Sequence, residues 1–218
     1  MDPFDPGRQP AGRAPAPGRL GLVQAFTNSF WDLDAHGSDA WADLAGYRHW
    51  LDARGFDGGS AASADRNRAL ALREAIRDLG RANHEPRGTS VTGTVPVTDV
   101  RRRGEMDPRA AALAVLDATA STCALRVRFD PAPRHEAVGA GPDDALALVL
   151  GVLAEAMGDG TWSRMKACPG PHCGWLFYDA SRNRSSQWCS MQLCGNRVKG
   201  REFRARRQGA AGRPFGRT

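Results

Sequence analysis

The sequence predicts a mainly α-helical amino-terminal domain with a small β element, followed by a small four-cysteine module built from a β-hairpin and a basic helix. Three observations carry this reading. Apolar residues recur at helical spacing in successive segments between positions 20 and 160. Four of the five cysteines, Cys168, Cys173, Cys189 and Cys194, fall within 27 consecutive positions near the carboxyl end. The charge is divided: residues 164–218 hold twelve Lys and Arg against Asp179 and Glu202, a net of +10, while residues 20–163 hold 15 against 20, a net of −5. A chain of 218 residues that is 41% hydrophobic has material for one core of ordinary size and a small added module.

Residues 1–19 carry five Pro and three Gly with almost nothing to bury, and they read as a disordered tail. They lack the apolar stretch of a secretory signal. Structure is expected to begin at LGLVQAFTNSFW, where Leu22, Val23, Phe26 and Phe30 recur at helical spacing. SDAWADLAGYRHWLDARG reads as a second helix, capped by Ser38 or Asp39, with Trp41, Leu44, Ala45 and Trp50 on its apolar side and Gly55 as its stop. ADRNRALALREAIRDLGRANH repeats the pattern through Leu70, Leu72, Ile76 and Leu79, with Asp65 as cap.

RGTSVTGTVPVTDVRRRGE mixes β-branched residues with Gly and Pro, which suggests an irregular or short-strand connection. DPRAAALAVLDATAS then opens with Asp107 as cap and Pro108 at the first helical position. ALRVRFD alternates Leu125, Val127 and Phe129 with Arg126 and Arg128, the period of a half-buried strand, and EAVGAG is its expected hairpin partner. Cys123, just before it, reads as a small buried residue. GPDDALALVLGVLAEAM, with Pro142, Asp143 and Asp144 in its first turn, is apolar enough to run through the core. TWSRMKA is a short connection into the cysteines. The expected division is therefore a helical domain at 20–163, the cysteine module at 164–208 and a disordered tail at 209–218. No apolar run reaches the about 18 residues that a bilayer span needs, so no membrane partner and a cytoplasmic location are expected.

The cysteines form two pairs, Cys168-PGPH-Cys173 and Cys189-SMQL-Cys194, separated by residues 174–188. In a reducing compartment this pattern argues for metal rather than disulfides. One structural Zn²⁺ is the favoured ion, because thiolates are its preferred donors and two loops of two thiolates satisfy a tetrahedron; an iron–sulfur cluster also uses four thiolates. A site with all four positions filled by protein leaves none for water or substrate, so the metal would hold shape rather than do chemistry. Pro169, Gly170 and Pro171 supply a turn that folds Cys173 back toward Cys168, and His172 is expected at the surface or behind the ligands. GWLFYDA places Trp175 and Phe177 on one strand face and Leu176 and Tyr178 on the other, with Trp188 closing the same small core. Gly195 and Asn196 read as turn or cap chemistry that opens the basic helix.

That helix, NRVKGREFRARRQ, sets Arg197, Arg201 and Arg204 along one side and extends the cationic surface through Lys199, Arg206 and Arg207, with Glu202 interrupting it. The loop SRNRSS adds Arg182, Asn183 and Arg184. A cationic face beside a rigid metal scaffold matches a helix docked on a phosphate backbone, and Arg and Asn are side chains that reach phosphates or base edges. DNA is the expected partner.

The segments CxxxxC, GWLFYD, SRN, WCSM and CGNR occur in that order over about 40 residues. This region resembles the CGNR zinc finger. The whole chain is similar to proteins that pair this finger with an amino-terminal ABATE-type domain, a family associated with stress-induced transcription regulation. Phe26, Asn28 and Ser29 stand where that domain shows an F-x-N-T pattern, while the Pro-rich stretch before residue 20 lies outside the resemblance. The resemblance implies that the four cysteines hold zinc and that the finger binds DNA. Ser186 and Gln187 stand where the finger carries a more basic pair.

The expectation is thus a DNA-binding transcription regulator whose helical domain senses a small-molecule effector or forms a homodimer; the alternative is an RNA- or protein-interaction module with a structural zinc site. An enzyme is not expected. No nucleophile has an evident base, no Gly-rich phosphate loop precedes a helix, and His36, His49, His84 and His135 are scattered.

Overall fold

The computed structural model describes residues 2–31, 38–84, 107–129 and 131–211, with backbone alone for Trp31, Glu202 and residues 205–211. The irregular connection expected at 87–105, His36, the side chains of Arg206 and Arg207, and residues 212–218 lie outside the described set.

The core is organised by α5 (Pro142–Gly158), whose Leu146, Ala147, Val149, Val152 and Leu153 are buried. Pro142 sits in its first turn and Asp144 accepts from the amides of Gly139 and of the N-cap Gly141, so of the two acids predicted to start this helix Asp144 closes the cap, while Asp143 pairs with Arg68. Around it pack α1 (Leu20–Thr27), α3 (Ser63–Ala82) and α4 (Pro108–Ala120). α4 begins as expected, with the Asp107 carboxylate accepting from the Arg109 amide and Pro108 in the first turn. At one end α1 and α2 (Leu44–Asp52) close an aromatic cluster in which Trp41 meets Phe26, Trp50 and Tyr47 edge-on at 5.0–5.3 Å.

Several local expectations need correction. α2 starts at Leu44, capped by Asp43, whose Oδ1 accepts from the Gly46 amide at 2.8 Å. Ser38 and Asp39 instead form β2, paired with β1 (Phe30–Trp31), and the Asp39 carboxylate is held at 2.8 and 3.0 Å by the buried guanidinium of Arg73 on α3. A tertiary ion pair has outcompeted the local cap. Asp65 is not the cap of α3 but its third residue; its Oδ2 accepts from the Ala62 amide.

The antiparallel hairpin of β3 (Leu125–Phe129) and β4 (Pro133–Ala137) begins its return earlier than EAVGAG. Its strand is not half-buried, and Phe129 is 79% exposed. The reason is geometric: the hairpin is anchored to α5 at its Leu125 and His135 end, where His135 Nδ1 lies 3.1 Å from Glu155, and it runs outward from there.

The largest departure is at the amino terminus. Residues 2–19 do not hang free; Gln9 and Ala16 are 6% and 4% exposed. A Pro-rich segment needs no backbone ladder of its own, so side chains can hold it against another surface. Nor is TWSRMKA a bare connection. Arg164 ends a short helical turn, and β5 (Met165–Ala167) pairs antiparallel with β6 (Leu176–Tyr178) in the register Met165↔Tyr178, Lys166↔Phe177 and Ala167↔Leu176. Met165, Ala167 and Leu176 belong to the same apolar cluster as the helices. This is possible because α3 carries Gly80 under the hairpin; a Cβ there would lie 2.6 Å from Leu176 Cδ1. Among the described residues no helix is long and apolar enough to cross a membrane.

Candidate metal centre and basic face

The first cysteine pair occupies the turn of the β5–β6 hairpin. Cys168 N donates to Trp175 O at 2.9 Å and Gly174 N returns to Cys168 O at 3.2 Å, so the last rung of the ladder lies directly at the first ligand. The turn then tightens through Cys173 N to Gly170 O, with His172 and Gly174 in left-handed conformation. His172 is exposed at the surface and is not in the ligand cluster.

The second pair is set by a helix start. Ser190 Oγ accepts from Leu193 N, and Ser190 O accepts from the amides of both Cys194 and Gly195 at 3.0 and 3.1 Å. This wide turn, Met191–Gly195, runs straight into α6 (Asn196–Ala211). Asn196, at φ −68° and ψ −34°, is already helical, so the cap lies at Ser190 rather than at the Gly195–Asn196 step.

The two turns bring Cys168, Cys173, Cys189 and Cys194 together as predicted. Their sulfurs all lie within 4.8 Å of one another, and the Cys173–Cys189 and Cys189–Cys194 separations are both 3.6 Å. A tetrahedron of thiolates bound at about 2.3 Å has edges of about 3.8 Å, so the sulfurs stand where four zinc ligands would. All four are buried and none is in a disulfide. Hydrogen bonding among the thiols draws Cys168 well below the ordinary thiol range and pushes Cys189 well above it. A bound cation would compensate the charge that four neighbouring thiolates bring together. The donor set, four soft sulfurs with no position for water, fits one structural zinc ion.

Phe177 completes the buried cluster, with Trp175, Trp188 and Leu193 packed on it, while Leu176 on the opposite strand face enters the helical core. The alternation read from GWLFYDA is therefore a division between two cores. Asn28 seals the joint: its amide donates to Leu176 O and accepts from Leu176 N, both at 2.8 Å, pairing with the strand edge as another strand would. Ser29, next to it, accepts from Arg73. From α3 the buried Arg77 donates to Thr27 O and to Gly174 O in the first cysteine turn.

The basic face divides into residues spent on structure and residues presented to solvent. Arg164 donates to the carbonyls of Asp179 and Ser181 at 3.0 Å, and Lys166 Nζ reaches Asp179 Oδ2 at 2.9 Å and the carbonyl of Arg184. Asp179 also accepts from the amides of Ser181 and Ser186 and from Ser181 Oγ. Burial by itself would raise its carboxyl, but the hydrogen bonds from Ser181, Lys166 and Ser186 outweigh that and hold it at about 2. This anchored loop presents Arg182, Asn183 and Arg184 at the surface, with Arg184 Nη1 donating to Ser163 Oγ at 3.2 Å. On α6, Arg197, Lys199, Arg201 and Arg204 are exposed. Loop and helix meet at an open groove of about 340 Å³ bordered by Arg13, Ser185, Ser186, Trp188, Met191 and Lys199.

Sequence reading missed Asn28 as the seal, Arg77 as the pin, Asp179 as the loop's anchor and Arg13 altogether. Asp179 had one visible signal, an acid within the cysteine region of a basic module that holds only one other, Glu202. Arg13 had none, because its partners lie more than 160 residues away.

Residues 164–207 match the family described as CGNR zinc finger, and residues 20–160 match the ABATE family, described as "Putative stress-induced transcription regulator". No curated protein matches the chain. With most of its length covered by that second match and the four sulfurs gathered in the first, the chain belongs to the ABATE family and carries a CGNR zinc finger at its carboxyl end.

Proposed function

We propose that the protein is a DNA-binding transcription regulator whose finger docks on duplex DNA through the solvent face of α6 and the loop at 181–184. The observation that carries this reading is the exposure of Arg182, Lys199, Arg201 and Arg204 on a scaffold held rigid by metal, while Asp179, which would oppose them, is buried against Lys166. Cations presented in fixed positions gain from counterion release without first losing much conformational freedom. A binding role rather than a catalytic one is supported by the closed set of four sulfur donors, which leaves no position for a substrate.

The test is fluorescence anisotropy of the zinc-loaded full chain with labelled duplex DNA. If about four phosphates are neutralised, the logarithm of affinity should fall with the logarithm of salt at a slope of about −3.6, a loss of roughly 100-fold between 50 and 200 mM. The double substitution Arg201→Ala, Arg204→Ala should weaken binding and make that slope shallower by about 2. No binding at low salt, or unchanged binding by the double variant, would overturn the reading. A preference for structured RNA, or a partner retained without nucleic acid, would replace it with an interaction module. Selection from a random DNA pool, with Cys189→Ser, Cys194→Ser as control, would reveal the site if enrichment needs the intact metal centre.

A further inference from the structure

We propose that the Pro-rich amino-terminal segment is an integral part of the metal centre, with Arg13 as a positioning residue that clamps the second cysteine turn and so sets how tightly zinc is held. The guanidinium of Arg13 forks across three main-chain carbonyls: Nε to Cys189 O at 2.9 Å, Nη2 to Trp188 O at 2.9 Å and Nη1 to Tyr178 O at 3.2 Å. Tyr178 ends β6 and Trp188–Cys189 leads into the second turn, so one side chain ties together two segments that the metal also has to tie. The guanidinium carbon stands 4.5 Å from the centroid of Phe177, the buried ring in the cysteine cluster. Charge acts in the same direction. Zinc with four thiolates carries a net charge of −2, and Arg13 sets a cation beside it through the backbone of one of its own ligands.

The segment is seated at both ends as well. Gln9 Oε1 accepts from Gln24 Nε2 at 2.9 Å and from Trp175 Nε1 at 3.2 Å, and Ala16 N donates to Gln24 Oε1 at 2.8 Å. Arg19 pairs with Glu155 on α5 at 3.0 Å. The carbonyl of Phe4 lies over Gly21 on α1, where a Cβ would approach it to 2.1 Å, so only glycine admits the strap at that crossing. The strap thus runs from the helical domain over the finger and back. Because Arg13 binds a second turn shaped by its ligands, zinc and strap favour each other reciprocally: losing either loosens the other.

The experiment uses the full chain and two readouts that do not involve DNA, so its failure is separate from that of the proposed function. Zinc affinity is measured by competition with a chromogenic chelator, and seating of the strap by tryptic cleavage after Arg8 and Arg19 followed by mass spectrometry. Arg13→Ala should weaken zinc binding about 10–100-fold, the range expected for groups that orient metal ligands. Arg13→Lys, which keeps the charge but not the fork, should fall between that variant and the parent, and Arg8→Ala, at an exposed position, should match the parent. Cleavage should be slow in the zinc form and fast after chelation. Gln9→Ala, which loosens the strap while leaving the Arg13 contacts to the second cysteine turn in place, should raise cleavage with zinc still bound. Parent-like zinc affinity in Arg13→Ala, or a strap cut equally fast with and without zinc, would overturn the proposal.

Discussion

At the scale of single residues, Asp179 and Lys166 show how a basic module uses a buried acid. Asp179 is fully buried and Lys166 is 3% exposed, and each is the other's charge partner. Asp179→Asn removes that partner and leaves a buried ammonium facing an amide, so the variant should lose about 3–5 kcal/mol of stability, read from the urea midpoint at neutral pH. The pH dependence has a definite sign. The carboxyl is held at about 2 against an ordinary 3.8, so its contribution is complete above the ordinary value and disappears as pH falls through the folded one. That contribution is about 2 kcal/mol, and the gap between parent and variant should narrow over the same interval. Buried arginines were the residues least legible in sequence. The apolar stripe that predicts α3 says nothing of Arg73 and Arg77, and both point into the fold, where Asp39, Ser29 and the carbonyl of Thr27 accept from them.

At the scale of elements, periodicity located α3, α4 and α5 well, because each has an apolar stripe and an acid or proline in its first turn. It failed where a tertiary partner competed with a local cap, as at Asp39, and where the alternation of ALRVRF matched a buried strand whose hairpin in fact extends into solvent. Two elements of the finger offer direct tests. Ser190→Ala removes the cap of the turn that carries Cys194 and should cost about 1 kcal/mol, measured by thermal melting of the zinc form. Gly80→Val would force a branched side chain between α3 and the β5–β6 hairpin, where Leu176 Cδ1 already lies 2.6 Å from a Cβ position. Overpacking there should cost about 1–3 kcal/mol, and a second-site Leu176→Ala should recover part of it in a double-mutant cycle.

At the scale of the whole molecule, the finger is not a bead on a string. Met165, Ala167 and Leu176 are core residues shared with the helices, and Asn28, Arg77 and Arg13 cross the boundary as hydrogen-bonding pins. Removing zinc should therefore lower the melting temperature of the helical signal and of the tryptophan signal together. Adding zinc back should raise both with concentration, as expected for a ligand that binds the folded state. Two separate transitions, with the helical one indifferent to chelator, would show that the shared core does not couple them. The same coupling would let a change in the helical domain reach the exposed basic side of the finger through α3, whose Arg77 holds the first cysteine turn.

By itself the sequence determined the ligand set, the helices around the apolar stripes, the two faces of GWLFYDA and the concentration of charge in the last quarter of the chain. Each of these depends on spacing over a few residues, and local geometry turns such spacing into a face, a turn or a tetrahedron. Only the tertiary structure decided that the Pro-rich beginning is a strap, that Asn28 pairs with the finger's strand and that the two domains share a core. Those contacts join residues 148 to 176 positions apart, through polar side chains whose partners are backbone carbonyls and amides common to every residue. A local pattern cannot specify such a partner; it is selected by the shape of the packed surfaces that bring the two segments together.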